Sequence, residues 1–411
     1  MSGLEALRET LGEEIVELHP PRPLEDASLE AHLSPRNSDE LARSLAALSE
    51  SRLPVLVRGG GTRLSLGNPC PEARALLSTE RLVGIDEFDA DDGVIQARAG
   101  TPLGVLDEAV AEAGWELPFD PPGASTTIGG VIAAAATGPR RQKFGAPRDS
   151  VLGLEVVLAS GQPTSCGGRV VKNVTGYDMA KLYTGSFGSL GVISGAWLRL
   201  RPRPSSRQSA LAVLSGLEVE ASLQLALAAS RRGSARVAAL VHGEPAQALA
   251  ASTADAGSGR LVVEYAGEVP EVERDMDWLS GQAGVRLQPE GDPLVECLRD
   301  LQGSGEARVR LSALPSRLPG LLAALLAIGA GCVSYPGLGL VYVFTDGDVE
   351  PVLQAARAAD AEWLFEALPL ERRREVDVFG EPGDGFPIAR ALKARFDPLG
   401  ILNPGRFQGR L

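Results

Sequence analysis

The sequence predicts an α+β chain of two domains, closed by a C-terminal segment that returns to the first. Three observations carry this expectation. At 411 residues the chain exceeds what one ordinary hydrophobic core supports. Between 35 and 204, short strand-like runs alternate with helical periodicities and three glycine-rich loops. From 207 to 375 the chain turns rich in Ala, Leu and Gly and poor in motifs, and its helices and strands fit a helix-over-sheet layer.

Composition narrows the class. Apolar residues make up 44% and charged residues 23%, as in a soluble globular protein. A net charge of −13 argues against a dedicated nucleic-acid binder, although Arg140, Arg141 and Lys143 form a local basic cluster. Cys70, Cys166, Cys297 and Cys332 form no Cys-x-x-Cys pair, which argues against zinc or an iron–sulfur cluster held by this chain alone. The same scatter favours a reducing compartment. Leu4, Leu7 and Leu11 sit at helical spacing with charges between them, unlike a signal-peptide core. The apolar run near Leu318–Val333 is broken by glycines and too short to span a bilayer. These features predict a cytoplasmic protein whose membrane contact comes only through a partner.

The elements follow in order. Residues 1–34 read as an amphipathic helix and a connector, Pro20-Pro21-Arg22-Pro23. Asn37 and Glu40 have capping-box spacing, and Leu41, Leu45 and Leu48 share a face, so 38–50 is a helix. Pro54–Arg58 is a buried strand running into Gly59-Gly60-Gly61-Thr62, a loop that continues to Gly67; Ala73–Ser78 is the next strand. Gly93–Ala99 alternates as a strand, and Thr101-Pro102 reads as an N-cap followed by proline at the first helical position, with Gly114 at the C-terminal end. Asp120-Pro121-Pro122-Gly123 turns into Thr126-Thr127-Ile128-Gly129-Gly130, whose alanine-rich continuation to Gly138 forms a thin helix. Strands follow at Val151–Leu158 and Val192–Leu200, with Gly185-Ser186-Phe187-Gly188-Ser189-Leu190-Gly191 just before the second. Arg201–Ser206 reads as a hinge. Beyond it, Val219–Ser230 and Leu318–Ile328 are helical, while Arg236–His242, Arg260–Tyr265 and Leu340–Phe344 are strands.

The glycine loops carry the chemistry. Nothing in Thr126–Gly138 titrates; the stretch offers hydroxyls and bare backbone, which suit a phosphate or pyrophosphate better than acid–base work. Thr62, Thr126 and Thr127 add hydroxyl donors, and Gly188 and Gly191 allow close approach to a flat ring. The first loop lacks the Gly-x-Gly-x-x-Gly fingerprint, because Leu64 occupies its last position. Taken singly each loop is an ordinary turn; three together point to one large nucleotide cofactor.

These segments resemble the FAD-linked oxidases of the vanillyl-alcohol oxidase (PCMH-type) superfamily. Val57–Thr62 resembles that family's pyrophosphate loop, Thr127–Gly138 its second phosphate and ribityl segment, and Gly185–Ile193 the stretch beside the flavin. Asn403-Pro404-Gly405-Arg406 resembles the C-terminal return to the cofactor domain. Within the superfamily, Thr137–Arg141, Val171–Asp178 and Gly185–Gly191 are similar to the E-type FAD-binding subunits of bacterial glycolate oxidase. The resemblance implies a PCMH-type FAD domain of two α+β subdomains at 35–204, a smaller α+β cap at 205–375, and a return segment at 376–411. It implies that FAD is held by Arg58, Gly59, Gly60, Gly61, Thr62, Gly67, Thr126, Thr127, Gly129, Gly130, Gly138, Lys172, Asn173, Gly188, Gly191, Val192, Ile193, Asn403 and Arg406. Covalent attachment in this superfamily commonly uses a histidine; the first loop has none, so the FAD is expected to be non-covalent.

The related hydroxy-acid dehydrogenases carry a His-x-Gly-Asp-Gly-Asn-x-x-His stretch that this chain lacks. Lys172 or Arg406 could meet a substrate carboxylate, but no catalytic base can be named. The expectation is therefore a subunit that binds FAD and acts beside a larger FAD-linked subunit and an iron–sulfur subunit, on a small hydroxy acid. A self-sufficient FAD oxidoreductase and a scaffold with structural FAD are the alternatives. The remaining candidates read as structural: Asp178 as a helix cap, Arg58 paired with a carboxylate, Arg140 and Arg141 as a solvated pair, Cys166 as a small buried residue, and His19, His32 and His242 as surface or satisfied. Tyr177 reads equally as core or as a ring contact.

Overall fold

The computed structural model describes residues 3–19, 24, 27–169, 177–214, 216–249, 259–289, 293–346 and 348–411. Helix Ser38–Glu50 starts as its sequence dictates: the Asn37 side chain accepts the Glu40 N–H at 2.9 Å. Leu41, Leu45 and Leu48 are fully buried against a four-stranded sheet. Across that sheet the order is Val16–Leu18, Ala31–Leu33, Ala75–Ser78, Val55–Arg58. The first pair is antiparallel and the other two pairs are parallel. The segment 1–34 is thus more than a helix and connector; it supplies two strands, each three residues long and too short to show a period in the sequence.

A five-stranded antiparallel sheet forms the second half of this region, in the order Ile85–Asp89, Val94–Arg98, Val192–Arg199, Val151–Val157, Pro163–Gly167. Helices Leu103–Ala111 and Ile128–Ala134 bury Leu106, Val110, Ile128, Val131 and Ile132 against it. Thr101 does not cap the first of these helices. Its hydroxyl bonds to the backbone of Gly84 instead, and Pro102 stands at the cap position without a side-chain bond. Asp178 caps helix Met179–Tyr183 as expected, whereas Tyr177 is 93% exposed and belongs to no core.

The cap is one antiparallel sheet of eight strands with helices Val219–Ser230, Val269–Ser280, Leu318–Ala327 and Glu350–Ala358 packed on one face. Helix Pro293–Leu301 lies on the other face. The predicted hinge is tethered: Arg201 and Pro202 pair with Glu116 and Trp115, and the Arg203 N–H donates to the Gly114 carbonyl. Ion pairs bind the two regions together. Arg140 is not solvated; its guanidinium makes a two-bond contact, 2.8 and 2.7 Å, with Glu264, a cap carboxylate that is 1% exposed. Arg207 and Arg236 both reach Glu116 at 2.7 Å. His242 is buried with an unpartnered Nδ1, and burial pushes its pKa down, so it is neither surface nor satisfied. Beyond the cap, helix Phe386–Phe396 leads the chain back to the first sheet, where Val55 donates to the Ile401 carbonyl and accepts from the Asn403 N–H, both at 2.8 Å.

Candidate cofactor site

Strand Val55–Arg58 delivers the first glycine loop into a cavity between the two halves of the first region. The cavity is walled by Val57–Leu64, Thr79, Thr127, Gly129, Gly130, Ala133, Ala134, Phe187, Gly188, Gly191, Val192, Ile193, Asn403 and Arg406. Three loops and the C-terminal return, far apart in sequence, meet there.

The glycines serve two different purposes. A Cβ on Gly60 would fall 1.7 Å from the Ser125 carbonyl oxygen, and one on Gly59 would fall 2.4 Å from Thr127 Oγ1. On Gly129 it would meet Ala99 Cβ at 2.7 Å, on Gly188 the Asn403 amide nitrogen at 2.7 Å, and on Gly191 Val156 Cγ1 at 2.6 Å. These residues let the loops pack on each other, rather than only on a ligand. Gly130 differs, because its Cβ would touch only Thr127 Oγ1, at 3.3 Å.

Backbone donors are unevenly distributed. In the second loop the Ile128 and Gly129 N–H groups donate to the Thr101 and Ala99 carbonyls, and the Gly130 N–H leans on the Thr127 hydroxyl at 3.4 Å. The second loop is therefore not the cluster of free amides that its sequence suggests. In the first loop, among the described residues, no acceptor meets the amides of Gly59, Gly60, Gly61, Thr62, Arg63 or Leu64. Unpaired main-chain donors next to a cavity call for an anion. Arg58 is neutralised by Glu80 at 2.7 Å, as the sequence suggested, so the loop's own amides and Arg63 carry the positive potential.

Two polar clamps hold the arrangement. Asn403, at φ +46°, accepts the Val57 N–H at 2.7 Å and donates to the Phe187 carbonyl at 2.6 Å, joining the first loop, the third loop and the chain's return. Arg406 is buried and spends its guanidinium on the carbonyls of Arg63, Leu64, Leu66 and Asn68. That makes it a brace for the first loop and leaves it unsuited to meeting a substrate carboxylate. The structure adds Lys393, which donates to the Ser189 and Leu402 carbonyls and to Asp397. Burial pushes the Lys393 pKa down and Asp397 opposes the shift.

Some predicted residues stand outside the wall. Gly67 lies under the Arg406 side chain, Gly138 against the Asp120 backbone, and the Thr126 hydroxyl on the Pro122 carbonyl and Thr62. Lys172 and Asn173 fall outside the described residues. Arg63, Leu64 and Thr79 are wall residues that sequence reasoning missed, whereas Ala133, Ala134 and Phe187 lie within its cofactor segments without being singled out as ligands. Thr79 arrives only because Ser78 pairs with Arg58 in a parallel register. Among the described residues no three His, Cys, Asp or Glu side chains cluster as metal ligands, and no helix is long and apolar enough to cross a membrane.

Free amides for a diphosphate, apolar walls from Ala133, Phe187, Val192 and Ile193, and a wall that among the described residues carries no carboxylate, imidazole or amine fit an adenine dinucleotide carrying a redox ring. Comparison with known proteins makes this specific. Residues 30–167 match the family described as FAD binding domain. The chain is 29% identical over 422 residues to glycolate oxidase subunit GlcD of Bacillus subtilis, covering 92% of this chain and 88% of that protein. It is 36% identical over 174 residues to glycolate oxidase subunit GlcE of Escherichia coli, a match spanning 42% of this chain and 49% of the relative. Its fold superposes on p-cresol methylhydroxylase with substrate bound at a TM-score of 0.72 and 15% identity, covering 98% and 96% of the two chains. The chain is similar to the FAD-linked oxidases of the PCMH/VAO type, and it shares their FAD binding domain over residues 30–167. It is an FAD-dependent oxidoreductase with an FAD domain followed by an antiparallel-sheet cap.

Proposed function

We propose that this chain is the FAD-binding subunit of a glycolate-oxidising complex, in which two electrons leave a small hydroxy acid and pass through flavin to an iron–sulfur subunit. FAD, when bound, supplies the two-electron acceptor. The residues proposed to hold it are the first-loop amides at the diphosphate, the Gly130 face of the second loop, and Gly188, Gly191, Val192 and Ile193 beside the ring. With no histidine on the wall, the attachment is non-covalent.

The observation that carries the subunit reading is the lining itself. Oxidising a hydroxyl carbon requires a group to take the hydroxyl proton, and among the described residues no carboxylate, imidazole or amine lines the cofactor cavity. The base or metal then comes from a larger FAD-linked partner, and any membrane contact of this cytoplasmic chain is made through the complex. Similarity to two glycolate oxidase subunits supports the same assignment.

A second reading, a self-sufficient hydroxy-acid oxidoreductase, draws on one observation. Glu366 borders an adjoining chamber under the cap, held by Arg308 and Arg310 at a loose 3.5 Å each. Purifying the chain alone and together with its partners separates the two. The subunit reading expects one FAD per chain in both preparations and glycolate bleaching only in the complex. Bleaching of the isolated chain favours the second reading, and a chain that takes up no FAD defeats both.

A further inference from the structure

Beyond the cofactor cavity, past Phe187 and Ala134, lies a chamber of about 300 Å³ between the first region and the cap sheet. Its wall includes Arg63 from the first loop and Arg310, Trp363 and Glu366 from the cap. Arg310 and Tyr342 are direct cross-strand partners, which puts both on one face of the sheet. Arg141, on the short helix Arg141–Phe144, and Arg308 stand close enough for their charges to act on this group. Burial pushes the Tyr342 phenol up in pKa and Glu366 adds to the shift, while Arg310, Arg141 and Arg63 oppose it.

The charges do not balance. Among the described residues, Arg63 and Arg310 line the chamber with one carboxylate, Glu366, and the charges of Arg141 and Arg308 act on that carboxylate from behind the wall, so four guanidiniums are set against one carboxylate, an excess of three positive charges. Among the described residues neither the Arg63 nor the Arg141 side chain has a hydrogen bond or ion pair, and Arg63 Nε is buried without a partner. Leaving charge buried and unpaired is costly, whereas a guanidinium–carboxylate fork is among the stronger polar contacts. A single carboxylate would still leave two charges uncompensated.

We infer that this chamber binds a small dicarboxylate, with Arg63 and Arg310 as direct contacts and Arg141 supplying further positive charge. The inference deepens the proposed function by widening the substrate class from a monoacid to a hydroxy diacid, and it rests on that reading only for its redox consequence. Binding itself is independent of turnover.

The test uses the full chain loaded with FAD, titrated with succinate and, separately, with butyrate, which has the same carbon count and one carboxylate fewer. Calorimetry and the flavin absorbance band report binding. Succinate is expected to bind at least tenfold more tightly than butyrate and to weaken as sodium chloride is added. Arg310→Gln and Arg141→Gln should each weaken succinate about tenfold or more while the far-UV circular dichroism stays unchanged. Equal affinity for the two acids overturns the inference, as does succinate binding that survives both substitutions or that FAD displaces. Should a variant fail to fold, the wild-type comparison of the two acids still decides. Because succinate has no hydroxyl to oxidise, a failure of the glycolate reading cannot be mistaken for a failure here.

Discussion

Two adjacent glycines should respond to substitution in opposite ways, and the difference separates loop packing from cofactor binding. Gly129→Ala places a methyl 2.7 Å from Ala99 Cβ and 2.9 Å from the Ala99 carbonyl oxygen. Ala99 is 1% exposed, and its carbonyl already accepts the Gly129 N–H at 2.8 Å, so the neighbour cannot move aside. Overpacking of this kind costs about 1–3 kcal/mol. Gly130→Leu meets only Thr127 Oγ1 and points into the cavity. Replacing a helical glycine by leucine gains roughly 0.8 kcal/mol of propensity, which offsets the crowding at Thr127. The Leu variant therefore folds without FAD about as stably as wild type, while its side chain occupies the ligand's space. At FAD one hundred times Kd, binding stabilises the native state by about 2.7 kcal/mol. The assay is thermal melting with and without FAD, together with flavin absorbance per chain. Gly129→Ala should melt lower without FAD yet still rise when FAD is added; Gly130→Leu should start near wild type and show no rise. If Gly130→Leu takes up FAD with wild-type stoichiometry, the cavity is not where the cofactor binds.

Three further outcomes follow from the polar contacts. Arg140→Ala strands Glu264 at 1% exposure and should cost about 3–5 kcal/mol in urea unfolding, most of it recovered when Glu264 is also replaced by Leu. Asn403→Ala loses the bonds to Val57 and Phe187 at a left-handed position, so it should lower stability by about 1–3 kcal/mol and weaken FAD, with equilibrium dialysis as the check. Burial pushes the Asp120 pKa up to about 6, against the Arg140 charge and its N–H. The folded state therefore binds more protons than the unfolded state between about pH 4 and 6, and this group's contribution to stability falls as pH rises through that window. Asp120→Asn should remove that component, so that the variant gains on wild type from pH 4 to 6; a constant difference would show that the carboxyl titrates normally.

What the sequence could reveal divides along a physical line. Glycine loops at strand ends are local features, and the three that were read from the sequence do wall one cavity. Helix Ser38–Glu50 and helix Val219–Ser230 were legible for the same reason, since caps and periodicities lie within a dozen residues. The direction of a backbone N–H is not local. Thr127–Gly130 reads as a phosphate-binding donor set alongside the first loop, yet Thr101 and Ala99, about thirty residues earlier, take the Ile128 and Gly129 amides, and among the described residues the amides of Gly59–Leu64 are left free. Arg406 shows the same limit: next to a glycine and near the flavin segments it reads as a ligand cation, but four carbonyls of a loop more than 330 residues away claim it. The cap was the least legible because its chemistry is distributed. Arg310, Tyr342 and Glu366 come from three strands that carry no motif, and only the sheet register brings them together over Arg63. A site formed by pairing across strands leaves no spacing in the chain to detect. What it leaves instead is an unbalanced charge count, visible only once the fold has decided which arginines already have partners.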